Sequence, residues 1–222
     1  MRSGGEGASS DARIGAFGGT FDPPHVGHLI IATELRYALS LDQVLFIPAG
    51  KPPHKTGQIV SDDEHRLAML RLALADAPEF GINAVDLDRR GPSYTAETLL
   101  LLREQLQPSG LVFLMGEDSL RDLPTWHRPD LIVQRAELAV ARRPGVELDL
   151  ASVYAAVPEA RGRIHLIEVP EIDISSRDIR QRVAHRMPIR YQVPREVEEY
   201  ILRHGLYREA SSPRRSAREA MV

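Results

Sequence analysis

The sequence contains no cysteine. This absence excludes disulfide bonds, thiolate catalysis and cysteine-ligated zinc or iron. Long apolar runs are absent too: residues 99–102 and 111–115 are uniformly apolar, whereas a helix needs about 20 apolar residues to cross a bilayer. The N-terminal residues include glycines and charged side chains, without the apolar core of a secretory signal. We therefore expect a cytoplasmic protein with no membrane partner.

Lysine is almost absent, because Lys51 and Lys55 are the only two and arginine supplies the other basic residues. A codon bias toward arginine explains the imbalance, but not why lysine remains in one short segment. A point charge on a flexible stem suits phosphate, so this segment is a candidate phosphate site. The net charge of −3 provides no global basic field, and we expect no nucleic-acid partner.

The chain divides into three parts by composition. Hydrophobic residues make up 43% of the 222 residues, an ordinary share for a globular protein. Residues 1–12 are rich in glycine, serine and alanine and predict a disordered leader. The polar residues 209–222 predict a disordered tail, although the basic stretch at 213–218 would also suit an anionic partner. Residues 13–208 are expected to form a single domain.

Strand-like and helix-like segments alternate along this domain. Ser61 and Glu64 form a capping-box pattern at the start of the second helix. The predicted strands are residues 13–17, 43–47, 82–87, 111–115, 138–141 and 164–169, and the predicted helices are 26–39, 61–75, 94–106, 176–185 and 194–204. This alternation predicts an α/β fold with a doubly wound parallel sheet. Ligands bind such sheets at the carboxyl ends of the strands, so the loops after residues 17, 47, 87 and 115 are candidate sites.

The first of these loops has features that favour phosphate. Gly18 and Gly19 permit close approach of the backbone to a ligand, and the loop leads into a helix N-terminus, which favours anions. His25 and His28 are three residues apart and share one face of that helix, where they could donate hydrogen bonds to phosphate oxygens. The alternatives are a helix cap, a solvated side chain, or a metal pair, although no further cluster of ligands completes a metal site.

Residues 18–28 resemble the signature of the nucleotidylyltransferase superfamily, whose His-x-Gly-His core is matched by His25-Val26-Gly27-His28. With the preceding Thr-Phe-Asp-Pro-Pro, the segment is similar to that of bacterial nicotinate-nucleotide adenylyltransferases. The resemblance implies a Rossmann-like nucleotidyltransferase fold over residues 13–208. It implies that ATP is bound by the loop and both histidines, that the histidines stabilise the transition state, and that no covalent enzyme intermediate forms. The loop residues concerned are Gly18, Gly19, Thr20 and Phe21.

A second motif, residues 174–180, resembles the superfamily pattern Ile-Ser-Ser-Thr-x-Ile-Arg. The resemblance implies that Ser176 and Arg180 bind the triphosphate, with Arg180 also catalytic. Arg177 stands where threonine is usual, which leaves the role of that position open. The spacing of Ser175 and Asp178 is also that of an ordinary helix cap.

Further segments resemble the family's other binding motifs in their usual order. Residues 47–55 look like its Pro-Pro-His-Lys loop, which would direct Lys55, and with it Lys51, toward phosphates. The alternative is a solvated surface loop.

Residues 91–95 resemble the segment that holds the pyridine ring and its carboxylate, which implies a role for Ser93, Tyr94 and Thr95. Trp126 matches the tryptophan that stacks on the pyridine. The alternative for residues 91–95 is an ordinary helix start, and the alternative for Trp126 is a place in the hydrophobic core.

Gly116 and Asp118 match the family's Gly-x-Asp that contacts adenosine. Asp118 could equally cap the next helix.

The reaction that the resemblance implies joins ATP to nicotinate mononucleotide and releases pyrophosphate. Mg²⁺ is expected to enter with ATP, held by phosphate oxygens and water rather than by a dedicated protein site. A homo-oligomer is compatible with the sequence. Two alternatives remain: phosphopantetheine adenylyltransferase, which belongs to the same superfamily, and a regulatory module that binds ATP without turnover.

Overall fold

Six strands form one sheet in the computed structural model, which describes residues 12–50, 60–89, 91–142 and 148–208. The strands are β1 (Arg13–Gly19), β2 (Gln43–Pro48), β3 (Phe80–Ile82), β4 (Gly110–Gly116), β5 (Glu137–Arg142) and β6 (Ile164–Glu168). Lys51, Lys55, the predicted tail and all of the predicted leader except Ala12 lie outside the described residues.

Nine α-helices and two 3₁₀ helices accompany the strands in the described ranges. The α-helices are α1 (Val26–Ala38), α2 (Asp63–Ala73), α3 (Val85–Asp88), α4 (Thr95–Leu106), α5 (Glu117–Asp122), α6 (Pro129–Arg135), α7 (Leu150–Ala156), α8 (Ser176–Ala184) and α9 (Arg195–His204). The 3₁₀ helices are Leu123–Thr125 and Pro158–Ala160. None of the helices in these ranges has the length and apolar character needed to span a membrane.

The strand order is β3-β2-β1-β4-β5-β6, and every pair is parallel. This order reverses beside β1, which pairs with β2 on one side and with β4 on the other. The carboxyl ends of β1, β2 and β4 therefore meet at the crevice where ligands bind doubly wound sheets. The predicted α/β fold with a doubly wound parallel sheet is confirmed.

Alternating side chains of the strands supply two cores, one on each face of the sheet. On β4, Leu111, Phe113 and Met115 pack on one face with α4 and α6, whereas Val112 and Leu114 pack on the other with α1 and α2. A third cluster joins α2, α8 and α9. Because both faces are covered, a uniformly apolar β4 is the strand expected at the centre of a parallel sheet.

Two local predictions were wrong. Residues 82–87 are not one strand, because β3 ends at Ile82 and α3 begins at Val85. Asn83 makes the turn: its side-chain oxygen accepts a hydrogen bond from the Val85 N–H at 3.0 Å, a local bond that competes with the strand ladder. The capping box at Ser61 is also absent, since α2 begins at Asp63 and the Ser61 N–H donates to the Asp22 carboxylate instead.

Candidate active site

The loop between β1 and α1, residues 20–25, is here called the signature loop. Its second residue, Phe21, has a left-handed backbone conformation at φ 50°, and the Phe21 ring is almost fully buried. A Cβ at Gly19 would lie 2.7 Å from this ring, so the preceding glycine is required for the turn. The Phe21 ring also packs edge-on against His28, with centroids 5.0 Å apart, and links the loop to the first turn of α1.

His25 and His28 lie together at the start of α1, as their spacing predicts. Their rings stack with centroids 3.6 Å apart and an interplanar angle of 25°. The backbone N–H of His25 donates to Nδ1 of His28 at 3.2 Å, so a neutral His28 carries its proton on Nε2. His25 is only 6% exposed, and its burial lowers the pKa to about 4, which keeps it neutral near pH 7.

The start of α8 contacts the backbone of the signature loop. Ser175 caps the helix by accepting from the Asp178 N–H at 3.1 Å, so the capping pattern is confirmed. Ser176, the next residue, is left to donate its hydroxyl to the Pro23 carbonyl at 2.8 Å. One turn later, Nη1 of Arg180 donates to the Asp22 carbonyl at 2.7 Å. This bond uses one of the five N–H donors of the guanidinium.

A buried arginine, which no sequence motif predicts, joins the loops after β1 and β2. Arg66 lies on α2 and is 1% exposed. Its Nη1 donates to the Thr20 carbonyl at 3.0 Å and to the Ala49 carbonyl at 2.8 Å, and its Nη2 pairs with Asp63. One guanidinium therefore fixes the spacing of two loops at the sheet edge.

Asp22 was not predicted either, and it is 1% exposed at the centre of the signature loop. One carboxylate oxygen accepts the backbone N–H of Ser61 at 3.1 Å, and the other accepts the hydroxyl of Tyr207 at 2.6 Å. A buried carboxylate needs such donors to offset the loss of water. The signature loop is thus tied to the start of α2 and to the residues after α9.

A cavity of about 220 Å³ lies beside the signature loop, at the carboxyl edge of the sheet. It brings together Gly18, Gly19 and Thr20 with the four predicted pyridine-binding residues inside the described ranges. Those four are Ser93, Tyr94, Thr95 and Trp126. Trp126 is held edge-on against Phe113, with centroids 6.2 Å apart. Tyr94 is the N-cap of α4, so the first amides of that helix lie at the cavity.

Three further polar residues line this cavity without having been predicted: Asp86, Thr98 and His127. Burial raises the pKa of Asp86, although the Thr98 hydroxyl donates to it at 2.6 Å and Arg89 Nη2 lies 3.2 Å away. The negative charge on this wall is therefore partly compensated. His127 covers Tyr94, with ring centroids 4.3 Å apart.

Gly116 ends β4 and Asp118 lies in the first turn of α5, both outside the residues that line the cavity. The Asp118 side chain is 77% exposed and accepts a hydrogen bond from Arg121 Nη1 at 3.0 Å. Asp118 is not the N-cap of α5, because Gly116 occupies that position. Across the described part of the chain, no three metal-ligating side chains are grouped together.

Comparisons with known proteins show the family of this chain. A cytidylyltransferase-like family model matches residues 16–182. A protein of Thermomicrobium roseum, named as a probable nicotinate-nucleotide adenylyltransferase, is 56% identical over 213 residues, covering 95% of this chain and 100% of the relative. The chain belongs to the nicotinate-nucleotide adenylyltransferase family. A protein of Roseiflexus sp., also named as a probable nicotinate-nucleotide adenylyltransferase, is 51% identical over 199 residues, covering 90% of this chain and 100% of the relative.

A solved structure agrees with this family fold. It is the Plasmodium falciparum nicotinic acid mononucleotide adenylyltransferase complexed with NaAD, which matches with a TM-score of 0.70 at 18% identity. The match covers 88% of this chain and 97% of that one. At this identity the likeness shows the fold alone.

Proposed function

We propose that this protein transfers the adenylyl group of ATP to nicotinate mononucleotide, giving nicotinate adenine dinucleotide and pyrophosphate, a step in NAD biosynthesis. The observation that most supports this proposal is that one cavity is lined both by residues 18–20, where β1 ends, and by Ser93–Thr95 and Trp126. One set of residues suits a phosphate and the other an aromatic ring with a carboxylate. Both substrates would therefore meet at the edge where β1 and β4 end.

In this reaction a phosphate oxygen of the mononucleotide attacks the α-phosphorus of ATP, and the bond from that phosphorus to the bridging oxygen of pyrophosphate breaks. The attacking phosphate is already ionised, so no side chain needs to act as the nucleophile. The protein contributes positioning and charge stabilisation. His28 donates from Nε2 to a phosphate oxygen, because its Nδ1 is occupied by the His25 N–H. His25 supplies a neutral, desolvated imidazole beside it.

The other proposed ATP contacts come from α8, from the end of β4 and from the start of α5. Arg180 holds the signature loop with one N–H and binds the triphosphate with its remaining donors. Ser176 fixes the same loop through the Pro23 carbonyl. Gly116, at the end of β4, and Asp118, in the first turn of α5, contact the adenosine.

Acceptor binding uses the opposite side of the cavity. Trp126 stacks on the pyridine, while the segment Ser93–Thr95, which leads into the N-terminus of α4, binds its carboxylate. Lys51 and Lys55 bind phosphate. Arg89 offsets the nearby charge of Asp86, which would otherwise repel an acidic ring substituent.

We expect Mg²⁺ to accompany ATP. The described residues contain no group of three metal ligands, and both oxygens of Asp22 accept hydrogen bonds from the protein. These residues fit an ion that is held by triphosphate oxygens and water rather than by a protein cage. When bound, Mg²⁺ neutralises part of the triphosphate charge.

Pyrophosphate release from ATP and Mg²⁺ tests the proposal, with nicotinate mononucleotide, nicotinamide mononucleotide and phosphopantetheine as separate acceptors. We expect the acid to be preferred over the amide, because a hydrogen bond to a charged group contributes about 1.5–3 kcal/mol. That corresponds to roughly 10–150-fold in kcat/KM.

Release only with phosphopantetheine would replace the proposed acceptor, and ATP binding without release would indicate a regulatory module. Equal kcat/KM values for nicotinate mononucleotide and nicotinamide mononucleotide would contradict the proposed carboxylate site but not adenylyl transfer.

A further inference from the structure

Tyr207 reaches the signature loop from the far end of the described chain. Its hydroxyl donates to the Asp22 carboxylate at 2.6 Å, although the two residues are 185 positions apart. The turn after α9 places it there: Gly205 is left-handed at φ 62°, and the Leu206 N–H returns to the Ile201 carbonyl. Tyr207 itself lies at φ 62°, a conformation that is unfavourable for a tyrosine and needs support from its contacts.

The acceptor of this bond, Asp22, is also held at two other atoms. Asp22 is buried, its second carboxylate oxygen accepts from the Ser61 N–H, and its carbonyl accepts from Arg180. Burial and the adjacent charge of Asp22 raise the pKa of the Tyr207 phenol, so the hydroxyl remains a donor at neutral pH. Removing it would leave one oxygen of a buried carboxylate without this donor.

We propose that Tyr207 is a positioning residue for ATP binding, acting through Asp22 to hold the signature loop in place for His25 and His28. Those histidines follow Asp22 by three and six positions, so a shift of the loop moves the first turn of α1. Tyr207 is placed in contact with the loop rather than with the reacting atoms. The inference depends on the proposed function only for the identity of the ligand, ATP.

The test compares Tyr207→Phe with Tyr200→Phe. Both variants lose one tyrosine hydroxyl, but Tyr200 bonds Nδ1 of His65 at 2.9 Å, between α2 and α9, and its ring packs against His65 and His204. Calorimetry would measure binding of a non-hydrolysable ATP analogue, and pyrophosphate release would give KM for each substrate. For Tyr207→Phe we expect roughly 10–100-fold weaker analogue binding and a similar rise in KM for ATP, from the loss of a bond to a charged acceptor. KM for nicotinate mononucleotide should change less than about three-fold, and Tyr200→Phe should match wild type.

A double-mutant cycle identifies the route of the effect. In an Asp22→Asn background, the Tyr207→Phe change should weaken binding of the ATP analogue much less than it does in wild type, since the charged acceptor is already gone. Equal analogue binding by Tyr207→Phe and Tyr200→Phe would overturn the inference. An equal rise in KM for both substrates would also overturn it, because that result indicates general structural damage. So would an undiminished effect of Tyr207→Phe on analogue binding in the Asp22→Asn background. If wild type binds the analogue but releases no pyrophosphate, the proposed function fails while the binding comparison still decides the role of Tyr207.

Discussion

The buried imidazole of His25 should make the unfolding free energy depend on pH in a specific way. Its pKa is lowered from 6.5 to about 4 in the folded protein by loss of solvation. A lowered pKa means that the folded state binds the proton more weakly than the unfolded chain. Stability from this residue is therefore fully present above about pH 6.5 and is lost as the pH falls toward 4.

The two pKa values set the size of the effect. At about 1.36 kcal/mol for each factor of ten in proton affinity, the complete loss amounts to about 3 kcal/mol. At about pH 5, between the two pKa values, the loss relative to neutral pH is about 2 kcal/mol. This is a large fraction of the stability of an ordinary domain, and urea denaturation resolves it readily.

The assay compares wild type with His25→Gln, in urea, at about pH 7.5 and about pH 5. The titrations of all other groups are common to both proteins, so the difference between their pH dependences isolates His25. We expect wild type to lose about 2 kcal/mol more than the variant on acidification. His185→Gln, which removes an exposed imidazole, serves as the matched control and should follow wild type. Equal losses in wild type and His25→Gln would refute the reasoning that burial keeps this imidazole neutral.

Two further substitutions test the ATP side of the site. His28→Ala should lower kcat by roughly 10²–10³, the loss typical of one preorganised transition-state donor, and thermal unfolding should show that the protein still folds. Near-normal turnover in the folded variant would exclude that role. Arg180→Lys should weaken ATP binding more than acceptor binding, because one ammonium cannot hold the Asp22 carbonyl and also bind phosphate oxygens in a fork. Calorimetry with each substrate separates the two effects, and equal weakening would identify Arg180 as purely structural.

Most of the fold follows from sequence periodicity. The short apolar runs of β1, β2, β4 and β5 and the amphipathic spacing of α1 and α9 were predicted nearly to their ends, and the structure confirms them. The runs are informative because a strand buried on both faces has no polar alternation. The prediction was wrong at residues 82–87, where one side-chain bond from Asn83 ends the strand. The helices α5, α6 and α7 were not predicted, because six or seven residues span fewer than two turns and show little periodicity.

In the site, contacts between residues close in sequence were predictable, whereas positions set by distant parts of the chain were not. The contact between His25 and His28 was predictable, since residues three apart on a helix are neighbours. The cavity that unites Ser93–Thr95 with Trp126 agrees with their expected common ligand, although their roles remain a prediction. Asp86 joins that cavity from α3, a helix that replaced a predicted strand, so its position could not be inferred.

The contacts by which Arg66, Asp22 and Tyr207 hold the signature loop could not be predicted from the sequence, for a physical reason. Arg66 binds two backbone carbonyls, and every residue offers a carbonyl, so no complementary side chain marks its partner. Asp22 does have a side-chain partner, the Tyr207 hydroxyl, but the two residues are 185 positions apart. No strand register or helical periodicity relates residues at that separation, so the sequence cannot pair them. Such bonds would matter to the proposed chemistry, because the geometry of a phosphate site made of backbone amides and helix-start imidazoles depends on the loop that presents them. Sequence motifs therefore locate the groups that would meet ATP, whereas the buried arginine, carboxylate and phenol that would fix their geometry become visible only in the folded chain.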